Sequence, residues 1–327
     1  MAEGRAREHH CRYVCLMGPT AVGKTALAVQ LRRMHAVELV SVDSAMVYRG
    51  LDIGSGKPDA ETLVEAPHRL IDIRDPGDVY SAGDFAEDAR TAIHDITDSG
   101  NLPLLVGGTG LYFRALREGL SPLPRANAAV RAKLQAEADI AGWDRLHARL
   151  SFIDPAAGKR IHPSDRQRIQ RALEVHALTG MTLTALQEQS HGNAGWNDAV
   201  LMLVMVPLDR QALHDAIARR FDEMLELGLV DEVATLRDRE DLHRDLPAMR
   251  AVGYRQVWDY LEGTLSYLEM RDKAIAATRQ LARRQLTWLR SLPGATSVEI
   301  DVARSSDTAV QRALARDTER HIRRWLG

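Results

Sequence analysis

The chain has 327 residues, enough for one large domain or two modest ones, and its 45% hydrophobic and 27% charged content is ordinary for a soluble globular protein. The longest apolar run, residues 200–206, is far too short to cross a bilayer, and the polar first ten residues lack the apolar segment of a secretory signal. A cytoplasmic protein with no membrane partner is therefore expected, and a net charge of −2 excludes a molecule that is basic throughout.

Cys11 and Cys15 fall on an expected strand, too far apart to bridge and too few for structural zinc. His9 and His10 read as a frayed terminus rather than a metal site. Of 43 basic residues only five are lysines, Lys24, Lys57, Lys133, Lys159 and Lys273. An arginine-rich genome and guanidinium recognition of phosphate both account for that bias, so position must decide between them.

In chain order, unbroken apolar runs at 13–17, 37–42, 69–73, 103–106 and 200–206 predict strands covered on both faces. Helical patterns at 24–34 and 81–97 separate the early strands, and this alternation argues for a parallel, doubly wound sheet. Ser121-Pro122-Leu123-Pro124 marks a boundary, after which helix follows helix without a strand up to the run at 200–206; from Asp209 onward the pattern is again mostly helical. The expected fold is α/β, a P-loop-type parallel sheet core covered by helices with an all-helical insertion domain. Residues 11–121 and 199–300 would form the core and its C-terminal helices, 122–198 the insertion, and 301–327 a C-terminal helix.

Gly18-Pro19-Thr20-Ala21-Val22-Gly23-Lys24-Thr25 follows the first strand and opens the first helix, the context that G-x-x-x-x-G-K-[ST] requires. Such a loop turns backbone N–H groups around a di- or triphosphate; Lys24 adds a cation and the Thr25 hydroxyl a ligand for Mg²⁺. An ATPase or GTPase should also show an acid ending a later strand, but 103–106 runs into Gly107-Gly108-Thr109-Gly110, leaving Asp72 and Asp75 as candidates. A small-molecule kinase using ATP therefore stands as the alternative reading.

Asp43 ends the second strand, at the sheet edge where ligands bind in open α/β folds. Its surroundings, 40–58, together with the phosphate loop and Val106-Gly107-Gly108-Thr109, resemble the signature set of bacterial tRNA dimethylallyltransferases, the IPP transferase family. Pro67-His68-Arg69-Leu70-Ile71-Asp72, Tyr80-Ser81-Ala82-Gly83-Asp84-Phe85, Ile161-His162-Pro163-Ser164-Asp165-Arg166-Gln167-Arg168, Ala251-Val252-Gly253-Tyr254-Arg255-Gln256 and Arg284-Gln285-Leu286-Thr287-Trp288-Leu289-Arg290 extend the resemblance over nearly the whole chain. Gly110 stands where the family has no fixed residue.

The resemblance implies Mg²⁺-assisted transfer of a dimethylallyl group from dimethylallyl diphosphate to the N6 amine of the adenosine immediately 3′ of a tRNA anticodon, by a monomer. It makes Asp43 the general base and places Thr109 against the target nucleotide. Arg220 lies within the apolar stripe of its helix beside Ile217, and the resemblance favours contact with the diphosphate over a snorkelling role. For the tRNA anticodon stem-loop the resemblance implies Asp43, Ser44, Ala45 and Met46 after the second strand, with Arg131 and the run Gln167, Arg168, Ile169, Gln170 and Arg171 in the insertion. It further implies Arg250, Gly253, Tyr254, Arg255 and Arg284. Arg279, Arg283 and Arg290 share one helix flank with no acid between Arg279 and Arg290, so phosphate is their natural partner. Trp288 reads as packing.

Overall fold

The computed structural model describes residues 11–119, 123–124, 126–190 and 198–327. Six strands among them form one sheet, β1 (Arg12–Met17), β2 (Val37–Val42), β3 (His68–Arg69), β4 (Leu102–Gly107), β5 (Ala199–Pro207) and β6 (Thr296–Ile300). Their order is β3-β2-β4-β1-β5-β6, and every neighbouring pair is parallel. Beyond the first or second residue, β1, β2 and β4 are buried along their whole length, as unbroken Val/Leu runs demand when helices cover both faces. Cys11 and Cys15 are buried, unbridged thiols.

Helices α1 (Lys24–Met34), α2 (Ala60–Glu65), α3 (Ala82–Asp98) and α4 (Gly110–Glu118) follow β1 to β4. Then come α5 (Ala128–Ala141), α6 (Trp143–Ile153), α7 (Pro155–Arg160), α8 (Arg166–Thr179) and α9 (Leu183–Ser190). After β5 the chain forms α10 (Arg210–Glu226), α11 (Leu229–Arg237), α12 (Tyr254–Leu261) and α13 (Tyr267–Arg290), and α14 (Thr308–Leu326) follows β6. The chain divides into two compact units, Met1–Leu116 with Asn197–Gly327, and Arg117–Trp196. His9, His10, Ser121 and Pro122 lie outside the described residues.

Two strand expectations need correction. The run at 69–73 is strand only through Arg69, because Leu70 and Asp72 take φ of 65° and 57°, a left-handed backbone that no strand contains. The chain instead turns so that the Asp72 and Arg74 N–H groups donate to Met46 and Val47 carbonyls. The run at 200–206 is not the last strand, because Thr296–Ile300 adds β6 at the sheet edge. Only Val298 and Ile300 of its five residues are buried, so it carries too little apolar pattern to stand out after a long helix.

The register of the sheet aligns the loops at its carboxyl edge. Met17 and Val42 both pair with Gly107, so β1, β2 and β4 end level with one another. A Cβ on Gly107 would lie 2.1 Å from the Val42 carbonyl oxygen, so this close end-to-end fit requires glycine.

The helical unit has its own core, built from Leu134, Leu146, Leu150, Ile161, Ile169 and Leu173 among others. Two buried carboxylates organise it. Asp154 caps α7 at the Ala157 N–H (2.9 Å) and accepts from the Thr184 N–H (3.0 Å) and hydroxyl (2.8 Å). Glu174, with its side chain wholly buried, accepts from the Asn127 N–H (2.7 Å), from Arg131 (2.9 and 3.2 Å) and from Arg171 (2.7 Å). Burial alone would push its carboxyl up, but Arg131, the Asn127 N–H and Arg171 outweigh burial and hold it below the usual range.

Glu174→Gln should therefore lower stability by about 1.5–3 kcal/mol, the worth of hydrogen bonds to a charged group. Urea denaturation and hydrogen exchange across α5 and α8 would measure it. Because the folded pKa is depressed, the wild-type advantage is fully present above about pH 4.3 and disappears as pH falls through the lower folded value. Equal stability of the two proteins at neutral pH would refute this account of Glu174.

Candidate active site

The level strand ends bring three loops side by side. The first is the phosphate loop after β1. A Cβ on Gly18 would meet Val22 Cγ1 at 2.9 Å and Met205 Cβ at 3.1 Å, so the loop leaves the strand through a gap only glycine fits. Ala21 and Gly23 take φ of 61° and 92°, the left-handed turns that wrap the loop. Gly23 begins α1 without a side-chain cap, and no acid stands in the helix's first turn. The first-turn N–H groups and their partial positive charge are thus left for an anion. Lys24 reaches back to donate to the Pro19 carbonyl at 2.7 Å. Its ammonium is pushed down to about 8 by burial, with Arg220 acting in the same direction and Asp43 opposing both.

The second loop carries Asp43. Its Oδ1 accepts from the Ala45 N–H at 2.8 Å and the Met46 N–H at 3.3 Å, which locks the carboxylate and leaves Oδ2 without a hydrogen bond among the described residues. Ser44 is exposed, while Ala45 and Met46 are half-buried. The third loop follows β4, and the Thr109 N–H donates to the Val42 carbonyl at 3.3 Å, fixing Thr109 beside the end of β2. A Cβ on Gly110 would lie 2.8 Å from the Trp288 ring, which stacks on Phe113 with centroids 6.2 Å apart. Gly110 is thus explained by packing, as is Trp288. The Thr25 hydroxyl, in the first turn of α1, is half-buried and makes no hydrogen bond among the described residues.

Arg220 projects from α10, whose apolar residues Leu213, Ile217 and Phe221 are buried. It donates to the Gly56 carbonyl at 3.0 Å, and a Cβ on Gly56 would fall 1.8 Å from Arg220 Nη2. The 52–57 loop is itself held from below. Glu232 accepts from the N–H groups of Asp52 (3.1 Å), Ile53 (2.7 Å) and Gly54 (3.1 Å) and from the Tyr254 hydroxyl (2.6 Å). The Tyr254 hydroxyl accepts from the Ser55 N–H at 3.1 Å. Lys57, its side chain 4% exposed, donates to the Tyr48 carbonyl and to Asp52 and Asp72.

Glu232, Lys57 and Gln285 escaped the sequence reading. For Lys57 a signal existed: in a chain where 38 of 43 basic residues are arginine (43 less the five lysines), a lysine kept in a Gly-Ser-Gly-Lys loop marks a site that wants a compact ammonium. Nothing in the sequence near Glu232 or Gln285 announces their long-range partners.

Three residues expected at the tRNA have little exposed surface. Tyr254 and Gly253 are buried, Tyr254 serving as a strut under the 52–55 loop. Ile169 belongs to the core of the helical unit, at 0% exposure. In that same unit Gln167 and Arg168 are exposed, and Gln170 donates to the Arg131 carbonyl. Arg131 and Arg171 are engaged with Glu174. In the sheet unit Arg250, Arg255, Arg283, Arg284 and Arg290 are exposed, with no side-chain hydrogen bond or ion pair among the described residues. Arg279 is half-buried and donates weakly to the His214 carbonyl at 3.4 Å.

The two acids that an ATPase or GTPase reading left as candidates are both in ion pairs. Asp72 pairs with Lys57, and Asp75 takes a two-pronged ion pair from Arg239 at 2.7 and 3.1 Å.

Comparison with known proteins bears on the family and the fold. A family model described as IPP transferase matches residues 46–292. A tRNA dimethylallyltransferase of Thioalkalivibrio sulfidiphilus is 57% identical over 291 residues, 88% of this chain and 90% of that one. One of Alkalilimnicola ehrlichii is 57% identical over 282 residues, covering 86% and 88%. The crystal structure of a tRNA isopentenylpyrophosphate transferase from Bacillus halodurans superposes with a TM-score of 0.63 at 36% identity, over 96% of this chain and all of that one. A eukaryotic dimethylallyltransferase crystallised acting on tRNA shares the fold, with a TM-score of 0.76 at 23% identity over 94% of this chain and 79% of the other. Fold and sequence together establish that the chain belongs to the IPP transferase family.

Proposed function

We infer that the protein is a tRNA dimethylallyltransferase of the cytoplasm. It moves the dimethylallyl group of dimethylallyl diphosphate onto N6 of the adenosine immediately 3′ of the anticodon, releasing diphosphate. The observation that carries this reading is the alignment of a diphosphate loop, a locked carboxylate with one spare oxygen, and Thr109 at the level ends of β1, β2 and β4. Among the described residues no helix is long and apolar enough to cross a membrane.

The adenine amine is a weak nucleophile because its lone pair is delocalised into the ring. As N6 attacks the allylic carbon, the C–N bond forms, the carbon–oxygen bond to diphosphate breaks, and that electron pair leaves with diphosphate. Asp43 Oδ2 takes the N6 proton, its partner oxygen being held by the Ala45 and Met46 N–H groups. Lys24, Arg220 and the loop amides receive the leaving charge. Thr109 holds the target nucleotide.

No cluster of three or more His, Cys, Asp or Glu side chains suited to a metal occurs among the described residues. A Mg²⁺ ion would accordingly draw on Thr25, the diphosphate and water, the ligand set this small cation favours. When bound it neutralises charge on the leaving diphosphate.

The target base leaves the anticodon-loop stack to reach this edge, as single-stranded loops permit at little cost. Arg283, Arg284, Arg290, Arg250 and Arg255 then bind the sugar-phosphate backbone, with Arg279 as a half-buried member of the row. In the helical unit Gln167 and Arg168 offer further polar contacts.

Incubating the protein with dimethylallyl diphosphate and unmodified tRNA, followed by mass spectrometry of the nucleosides, should yield prenylated adenosine. In the same assay Asp43→Asn should keep tRNA affinity within a few-fold and lower the single-turnover rate by roughly 10²–10⁴, the usual worth of a general base. A variant rate within threefold of wild type would sink the base assignment.

Lys24 sets the pH dependence. With its ammonium pushed down to about 8, it is charged below that pH and neutral above. Affinity for dimethylallyl diphosphate should hold steady below about pH 8 and fall toward tenfold per unit above it, since the anion binds the protonated form. Lys24→Arg should flatten the curve, because a guanidinium keeps its proton there. Calorimetric titration across this range decides it, and a wild-type affinity independent of pH would contradict the reading.

Each phosphate contact releases condensed counterions, so tRNA affinity should fall with salt at a log–log slope of about −0.7 per single-strand contact. Arg283→Gln should weaken all tRNA substrates about equally and flatten the slope by somewhat less than one unit, with donor affinity unchanged. An unaltered slope would assign these arginines to structure.

A further inference from the structure

We propose that Gln285 is a positioning residue that fixes the distance between the diphosphate loop and the loop holding Thr109. Its carboxamide spans the two: Oε1 accepts from the Thr20 N–H at 3.0 Å, and Nε2 donates to the Gly108 carbonyl at 3.0 Å. The strands beneath are already in register, Met17 opposite Gly107, but the β1–β4 ladder stops at that pair. Gln285 continues the tie one step beyond it, where the chemistry takes place.

Three further observations support a fitted contact over an incidental one. A Cβ on Gly108 would lie 2.4 Å from Gln285 Nε2 and 2.9 Å from the Gly18 carbonyl, so the glycine makes room for this side chain. Trp288, one helical turn further along α13, lies over Gly110, so two side chains of one helix grip consecutive parts of the same loop. A glutamine bridges a donor and an acceptor with fixed polarity, and both groups here are used: the amide accepts from the phosphate-loop N–H and donates to the carbonyl.

The consequence is geometric. Transfer needs the allylic carbon, held through its diphosphate by the first loop, to meet N6 of a base held by the second. A misplacement of about 1 Å in such a pair can cost on the order of a hundredfold in rate. Gln285 neither touches the reacting atoms nor takes an N–H from the turn at Ala21–Thr25 that faces the anion, so its loss should spare binding. The inference rests on the reading of Asp43, Thr109 and the phosphate loop as the reaction centre.

The test compares wild type with Gln285→Met, of similar length but without either hydrogen bond, and Gln285→Glu, which keeps the acceptor and sets an oxygen against the Gly108 carbonyl. Single-turnover rates at saturating tRNA and donor are read beside the dissociation constants of each. The expected result is a rate loss of about 10–100-fold in both variants with both constants within threefold, the signature of lost orientation rather than lost affinity. Gly108→Ala, which disturbs the same contact from the other side, should give a similar loss, and combining it with Gln285→Met should be less than additive. It also serves if either Gln285 variant fails to fold.

Rates within threefold of wild type, a loss carried by donor affinity alone, or full additivity of the double variant would overturn the proposal while wild type still prenylates tRNA. A wild-type protein that forms no prenylated adenosine would instead overturn the reaction-centre reading, and this proposal with it.

Discussion

Three strands that end at the same level are the constraint on which the rest of the site depends. In a parallel sheet the loops at the carboxyl ends are far apart in sequence, so nothing local can align them; register does it. Here Met17, Val42 and Gly107 share that level, and the missing Cβ of Gly107 is what lets the Val42 carbonyl sit where it does. One hydrogen bond later, from Thr109 N–H to that same carbonyl, the third loop is committed to lie beside Asp43. A side chain at position 107 would push the β2 and β4 ends apart, and Asp43 and Thr109 would separate with them.

The second constraint is electrostatic. Lys24 and Arg220 both lose solvation in this corner, and each is only partly compensated by Asp43. Asp43 faces both cations and Glu223 adds to it at Arg220, yet burial outweighs these carboxylates at each cation. Such an arrangement weakens the unliganded fold relative to a neutral packing, and the diphosphate proposed to bind here would relieve it. The supporting structure keeps the imbalance from collapsing. Gly56 offers its carbonyl to Arg220, while Glu232 and Tyr254 hold the loop on which Gly56 sits. These residues contact no substrate in the proposed reaction, yet the direction in which Arg220 points is theirs to set.

Much of this was legible in the sequence, and the pattern of what was not has a physical cause. The phosphate loop, Asp43 and Thr109 announce themselves because their chemistry is written in contiguous residues next to strong apolar runs. β6 did not, since an edge strand buries few side chains and carries weak periodicity, while the run at 69–73 overstated β3, which the left-handed residues Leu70 and Asp72 end after Arg69. The resemblance placed Tyr254 at the tRNA, and no sequence window shows that its hydroxyl donates to Glu232, an element away. Gln285 and Glu232 work only through partners at great sequence separation, and no window of sequence contains that information.

The arginine excess divides by what lies within reach of each guanidinium. Arg131 and Arg171 share the buried Glu174, Arg239 takes Asp75, and Arg271 takes Asp222, so each has a carboxylate built for it. These arginines organise the fold, and removing the acid would leave a charge without its counterpart. Arg283, Arg284 and Arg290 are exposed on a single helix, with no carboxylate in contact among the described residues. Like charges in a row repel one another, and a fold gains nothing from placing them there unless an anion arrives from outside. The same helix turns Gln285 inward onto the loops after β1 and β4, so the element proposed to meet the polyanion is also the one proposed to set the spacing of the chemistry. On that proposal, a rigid helix shared in this way would fix the position of a bound tRNA and the position of the donor loop against one common reference.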